Sequence, residues 1–599
     1  MAVDGAVLSL VSKARGAVAR RSVPALAARV VALGVLLKWL WQVGQLRFKL
    51  WGVAGGPWPL PVVGTVWRLV LGGLGDLHKT GLRDVRLFGN LYAWTYFHKP
   101  IVNTNCPFHL RRLLVTHWKR YDRSDVEQAA FGKLLGQGLI LVGNDKWRDM
   151  KSLYQSGLSD RNILAFREVL RTWSADFVDT LLAEGHNGER PVDVQEAVQK
   201  LTFRAIGLFT LGVDFEGEPY LSDLKAEMGA AYSNYGELWF QLLEHTQFRI
   251  IFGPLCWWKL LKTAPVRQFE RGHALLLRAI NRAIDAGEAA AAARGLAQEK
   301  GAASAPSEAA AEGEGGGRAP FSALLSSMVG QRGQRFSRTE IRHQALTFLF
   351  ARHDTTTNLI AWCLYLLAAH PADHERAQAE VRKGETQFLR CCFLETLRLY
   401  PSVPARSRTV VQGDVFEAAE PARCPMLRNP GSVNLATGTG VSFAINAVHR
   451  DPVHWQEPDA FRPLRFEAHV AKAPSALLTA PWAADEEPLS YLPFGAGPRR
   501  CIGERFALLE AEEICCTVLK RCTVRLAPGP PPVDEADDAC TRRHPIAPGR
   551  RSDAQVLRRN ARNRSRLSVS GAGSDEDRGL AAPLATIISM VSWCTRCTD

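Results

Sequence analysis

The sequence predicts a mainly α-helical protein. From about residue 76 to 284 apolar residues recur at helical spacing, as in VQEAVQKLTFRAIGLFTLG (194 to 212), and residues 343 to 370 and the run from Ala507 to Leu519 repeat the pattern. That spacing gathers the apolar side chains of each segment on one stripe, which a core can bury.

The 599-residue chain is 46% hydrophobic, enough for one large core or two ordinary ones. Its first 75 residues hold nine Lys or Arg and a single acid, Asp4. Among them VPALAARVVALGVLLKWLWQVG (23 to 44) is apolar apart from Arg29 and Lys38, roughly the 20 residues that a bilayer span needs. Three readings stay open: a membrane span, an amphipathic helix lying on a membrane or on the protein, and an Arg-rich organelle transit peptide. GGPWPLPVVG (55 to 64) reads as a stiff hinge. Residues 1–54 then form a targeting or anchor segment, and 55–550 the functional body.

Residues 285–319 are rich in Ala, Gly and Glu with almost nothing to bury, the composition of a solvated insertion. In HQALTFLFARHDTTTNLIAWCLYLLAAH (343 to 370), apolar positions flank a polar run of Asp354, Thr355, Thr356, Thr357 and Asn358. Polar side chains in the middle of a core helix are costly unless paired or wet, so a function is the economical explanation. The tail, 551–599, is Arg- and Ser-rich before a weak apolar patch and has no assigned role; its CTRC (594 to 597) lacks a second ligand pair. Thirteen irregularly spaced cysteines argue against a disulfide framework and for a reducing, cytosol-facing compartment. The formal charge of +14 fits a nucleic acid, an anionic membrane or an acidic partner, but the basic residues are dispersed and no nucleic-acid recognition module is present.

In YLPFGAGPRRCIGERFALLEAEE (491 to 513), Cys501 stands just before a helix start, after Arg499 and Arg500. The positive helix end and the two arginines favour thiolate over thiol. Gly495 and Gly497 allow a tight turn and close approach to a flat ligand, with Phe494 placed to cover the sulfur. Phe494, Gly497, Arg499, Cys501, Gly503 and Ala507 match FxxGxRxCxGxxxA in full. This resembles the haem-binding signature of the cytochrome P-450 superfamily. The resemblance implies that Cys501 is the axial thiolate ligand of haem iron, in haem b (iron protoporphyrin IX), where a thiolate pushes electron density toward oxygen.

Further segments extend the likeness. FLETLRLYPSVP (393 to 404) resembles the family's ExxR helix, with Glu395 and Arg398 on one face, and Arg465 in FRPLRF (461 to 466) matches the residue that completes a structural Glu-Arg-Arg cluster. AINAVHRDPVHW (444 to 455) is another family-like stretch. The polar run resembles the AGxDTT oxygen-activation motif, which implies proton delivery by Asp354 and Thr355. NDKWRDMKSLY resembles the WxxxR helix, giving Trp147 and, in place of the usual Arg, Lys151; with Arg408 and Arg499 these supply donors for the haem propionates.

Four departures stand beside these matches. Arg352 occupies the glycine position next to the oxygen pocket, where a buried guanidinium needs water or a partner, binds an anionic substrate group, or rotates away. The segment between His370 and Glu395 is short for the family, 424 to 440 is irregular where a strand pair is expected, and 540 to 551 only loosely resembles the C-terminal hairpin.

The resemblance implies the P-450 fold, a large helical domain with a small β-rich lobe near the N-terminus, and a monooxygenase using dioxygen. No flavin or nicotinamide domain fits in this length, so electrons come from a separate NADPH-dependent reductase, or from ferredoxin in an organelle. Arg148, Arg500, Arg505, Lys520 and Arg521 are candidates for the docking face. The likeness is closest to the fatty-acid and carotenoid hydroxylase branches, which implies a lipophilic substrate, first a fatty acid, second a carotenoid or sterol. Ala351 stands where many omega-hydroxylases carry a haem-esterifying Glu, so no covalent link is expected. The location implied is the cytosolic face of the endoplasmic reticulum membrane, with a plastid or other organelle as the alternative. A haem-binding protein without turnover is the rival reading.

Overall fold

A computed structural model describes most of residues 77–526, apart from 186–191, most of 216–263, 300–335, 418–431, 473–476 and 482–487, together with parts of 33–68 and residues 547–549. The transit or anchor reading of 1–32, the later part of the insertion and the tail with its CTRC lie outside the described residues.

The helices of eight residues or more in bounded described segments are α1 (Leu77–Phe88), α2 (Asp125–Leu135), α3 (Asn144–Gly157), α4 (Arg167–Glu184), α5 (Val194–Leu211), α6 (Ala264–Glu299), α7 (Arg338–Ala369), α8 (Pro371–Lys383), α9 (Gln387–Leu399) and α10 (Glu504–Arg521). Their ends follow from local chemistry. Ser337 and Glu340 form a capping box at the start of α7, five residues earlier than the apolar pattern alone begins. Asp193 caps α5 by accepting from the Glu196 amide, and Gly212, at φ 69°, closes it. Pro371 opens α8 and Gly384, at φ 87°, ends it, so α8 and α9 are joined by three residues. The short segment before Glu395 is therefore α8, a three-residue link and the first part of α9. α6 continues to Glu299, so the Ala-rich start of the expected insertion is helical, in line with the propensity of alanine.

A five-stranded sheet forms the small lobe, in the order β1-β2-β7-β4-β3. Its strands are β1 (Leu91–Tyr96), β2 (Lys99–Thr104), β3 (Tyr121–Arg123), β4 (Ala405–Val410) and β7 (Gly440–Ala444); β2 and β7 are parallel, the other pairs antiparallel. β5 (Asp414–Phe416) pairs with β6 (Val433–Leu435), and β8 (Thr523–Arg525) with β9 (Ala547–Gly549). Two sequence readings are corrected here: the stretch judged irregular contains β6 and the start of β7, and the loosely matching C-terminal segment supplies β9.

α7 crosses two apolar cores. Ile341, Ala345, Leu346 and Leu349 pack with α3, α5 and α6, whereas Leu359, Ile360, Cys363 and Leu367 pack with α4, α9 and α10. The polar run lies between them. α10 also joins both, through Phe506 and Leu509 on one side and Leu508, Ala511 and Ile514 on the other.

The expected Glu-Arg-Arg cluster is formed. Arg398 grips both oxygens of Glu395 at 2.8 and 2.9 Å, with both side chains fully buried, and donates to the carbonyls of His449, Pro458 and Ala460. Glu395 also accepts from the Arg462 amide and from Arg465 Nε. Removing one member of a buried ion pair strands the other charge, so Arg398→Met should cost about 3–5 kcal/mol. A fall in the denaturant midpoint of that size, measured on the full chain, is the expected result.

Candidate functional site

The cysteine loop hangs from that cluster. His449 is buried; its Nδ1–H donates to the Arg398 carbonyl and its Nε2 accepts from the Leu492 amide at 2.9 Å. Burial holds the imidazole neutral, pushed down to about 3, which the acceptor role requires. Tyr491 donates to the Leu394 carbonyl, and the Cys501 amide donates back to the Phe494 carbonyl at 2.9 Å, closing the loop. Gly497 sits at φ 68°, where a Cβ would lie 1.9 Å from the Leu114 carbonyl oxygen, so only glycine fits. Phe494 packs against the second core.

Cys501 is exposed, whereas Cys106, Cys363, Cys391, Cys392, Cys515, Cys516 and Cys522 are buried; it is the single exposed thiol among the described cysteines. Its electrostatics correct the sequence reading. Arg499 and Arg500 do not hold a thiolate between them: Arg499 turns to the Val142 carbonyl and Asn144, and Arg500 is paired with Glu504 at 2.7 Å. Although the residue faces open space, the protein packed around its sulfur pushes the thiol up and the Glu504 charge adds to the rise, opposed by a hydrogen bond from the Gly503 backbone and by the charges of Arg352 and Arg500. A metal cation bound at the sulfur would add to the influences that favour its thiolate form.

Beside the loop lies a pocket bordered by Leu114, Trp118, Tyr121, Asn144, Arg408 and Arg499. Arg499 stacks on Trp147 at 4.8 Å, and Lys151 lies 5.0 Å from the same ring while donating to the Pro498 carbonyl. A residue that the motifs did not reveal completes the group. The register of β3 and β4 places Arg123 directly opposite Arg408. Arg123 is buried, and its Nε has no hydrogen-bond partner. Burial, together with Arg406 and Arg499, pushes Arg408 down to about 9, and burial with three neighbouring arginines pushes Arg123 well down. Like charges facing each other in a sheet are destabilising. Half-buried Glu127, which accepts from Ser407, offsets part of this charge. An orphaned donor in a crowd of buried cations is what two carboxylates would satisfy, so these residues fit the propionate edge of a haem whose iron meets Cys501. Spacing in YDR gave no motif; only strand register shows Arg123.

On α7 the structure divides the polar run. Asp354 accepts from Gln199 of α5, Thr357 exchanges a 2.8 Å hydrogen bond with Thr202, and Asn358 accepts from Gln195. Part of the polarity is thus satisfied between helices, which the sequence reading did not foresee. Thr355 donates to the Ala351 carbonyl at 2.8 Å, and its own carbonyl accepts from Ser402. Burial lifts Asp354 from 3.8 to about 6, opposed by the Gln199 hydrogen bond. Arg352 has one of the partners that a buried guanidinium needs: Nη2 meets Glu510 of α10 at 2.8 Å, and the guanidinium lies over the Phe506 ring at 3.4 Å. Among the docking candidates Arg505 is paired with Asp160 and Arg521 with Asp179, while Arg148 and Lys520 are exposed. Arg500 is paired with Glu504 at 2.7 Å.

A family description, Cytochrome P450, matches residues 54–546. The soybean (Glycine max) protein "Cytochrome P450 97B2, chloroplastic" is 25% identical over 490 residues, covering 75% of this chain and 80% of that protein. "Cytochrome P450 4ae1" of Drosophila melanogaster is 25% identical over 497 residues, 80% of this chain and 88% of that one. Human "Cytochrome P450 4V2" is 35% identical over 217 residues, covering 34% and 36%.

Two outcomes follow from the site. A folded-state carboxyl raised to about 6 contributes stability when protonated and loses it as pH rises through that value. Asp354→Asn should therefore raise the thermal midpoint above wild type at pH 7.5, the gap closing as pH falls toward about 4; a gap independent of pH in a denaturation series would contradict this. Arg123→Ala should stabilise the haem-free protein by relieving repulsion, yet release haem roughly tenfold or more faster, the loss of a charge-assisted hydrogen bond. Haem transfer to apomyoglobin and denaturation of the haem-free form read the two effects separately.

Proposed function

The chain belongs to the cytochrome P450 family and is a haem-dependent monooxygenase; from that premise we propose that it hydroxylates a lipophilic substrate, first a fatty acid, with haem b held by Cys501. The observation that carries the reading is the pairing of one exposed thiol among the described cysteines, in a fixed loop, with a group of buried arginines of which Arg123 has an unpartnered Nε. Haem bound there would supply the iron for dioxygen chemistry, in which one oxygen atom enters a C–H bond and the other, with two electrons from the reductase and two protons, leaves as water.

The chain's own residues have distinct tasks in this proposal. Arg123, Arg408, Lys151 and the stacked pair of Arg499 and Trp147 receive the propionate edge, while Gly503 steadies the sulfur through its amide. Asp354, lifted to about 6, holds or releases a proton near neutral pH. Thr355, which donates to Ala351, keeps lone pairs with which to accept one. Glu395, Arg398 and Arg465 are structural.

A separate reductase, NADPH-dependent or ferredoxin-linked, supplies electrons. A membrane location is supported by the helical segment 33 to 41, on which Leu33, Leu36, Leu37, Leu40 and Trp41 are exposed. Among the described residues no helix is long and apolar enough to cross a membrane. Carotenoid or sterol hydroxylation in a plastid is the second reading; the acid-poor start and the chloroplastic relatives favour it. The rival without turnover rested on Arg352 and the short segment before Glu395. Arg352 now has a partner and that segment is regular, which speaks against it.

The reduced carbon monoxide difference spectrum tests the core of the proposal. Wild type should show a strongly red-shifted Soret band that Cys501→Ser loses, and with reductase it should convert fatty acids. Turnover confined to ring-bearing lipids would reverse the order of substrates, and absence of the band would remove the haem–thiolate reading.

A further inference from the structure

Arg352 is a second charge near the sulfur besides Arg500, and the functional reading above leaves it without a task. It lies on α7 two residues before Asp354 and is buried. Glu510 takes one of its nitrogens; Nε and Nη1 are buried without partners, so the grip is not bidentate. Phe506, whose ring carries the guanidinium at 3.4 Å, stands five residues after Cys501 in the first turn of α10. Both groups that hold Arg352 therefore belong to the helix that follows the cysteine loop. A substrate carboxylate is a poor match for it, because its remaining nitrogens are enclosed in packed side chains while Cys501 is exposed. A cation fixed in a low-dielectric interior exerts a field that solvent screens little. Its charge registers at Cys501, where Arg352 is among the groups that favour the thiolate.

We propose that Arg352, fixed by Glu510 and Phe506, is a positioning residue whose charge sets how readily the haem–thiolate centre accepts its first electron. The inference rests on the assignment of Cys501 as the haem ligand. One electron from the redox partner converts ferric to ferrous iron; no bond forms or breaks, and the centre gains one negative charge. A fixed cation nearby favours that product, and a fixed anion opposes it.

The test is a redox titration of the purified, haem-loaded full chain, with the carbon monoxide spectrum recorded for every variant. Arg352→Met should make the ferrous state about tenfold less favoured, a fall of about 59 mV for a one-electron couple. Glu510→Gln removes the anion and should shift the potential the opposite way, whereas Arg352→Lys should stay close to wild type. Opposite signs from Arg352→Met and Glu510→Gln support electrostatic tuning; a packing role would move both in one direction, and that result overturns the proposal. Because either single change strands a buried charge, Arg352→Met/Glu510→Gln, which leaves none, is measured as well. It should keep part of the fall, and an unshifted potential in a double variant with an intact Soret band also overturns the proposal. A wild type lacking the thiolate band removes the inference together with the haem assignment, whereas an intact band with unmoved potentials removes the inference alone.

Discussion

The buried pair of Glu395 and Arg398 is the constraint on which the site depends. Two charges without solvent survive only because every remaining oxygen and nitrogen finds a partner, and those partners belong to a chain segment far along in sequence. The segment from His449 to Arg465 has little regular structure of its own. It is held by backbone carbonyls turned toward one guanidinium. His449 then passes the constraint to Leu492, and the loop that follows sets Cys501. A fixed thiol is thus the last link in a series of hydrogen bonds that begins at an ion pair.

α7 and α10 give the site its second dimension. Each contributes to both apolar cores, so neither can slide without repacking on two sides. The polar run sits where the two cores meet, the one stretch of α7 where cavity-lining chemistry costs least packing. It has partners on α5: Gln195, Gln199 and Thr202 meet Asn358, Asp354 and Thr357 respectively.

How much of this was legible in sequence depended on whether the cause was local. The signature loop, the ExxR spacing and the polar interruption of α7 are local patterns, and each marked a true feature. The capping box at Ser337 was also readable as Ser-Arg-Thr-Glu, yet the apolar period drew attention to a later start. Arg123 was not readable, because its meaning comes from strand register against Arg408, nearly three hundred residues away. The pairing of Arg352 with Glu510 was hidden for the same reason: both lie on helices whose relative placement no spacing encodes. Local charge counting was half right at Cys501: the charge of Arg500 acts on the sulfur, whereas Arg499 turns to Val142 and Asn144. Adjacency in sequence predicted charge and gave no direction.

The facing arginines of β3 and β4 carry a consequence for selectivity. A pocket built on repulsion between its own walls ranks guests by charge before it ranks them by shape. A porphyrin whose two carboxylates were esterified would fill the same space and still leave the walls pushing apart. A small dianion would calm them without reaching the sulfur. The pocket and the thiol therefore act as two separate checks on one molecule, and a guest must carry both an acidic edge and a metal centre to pass.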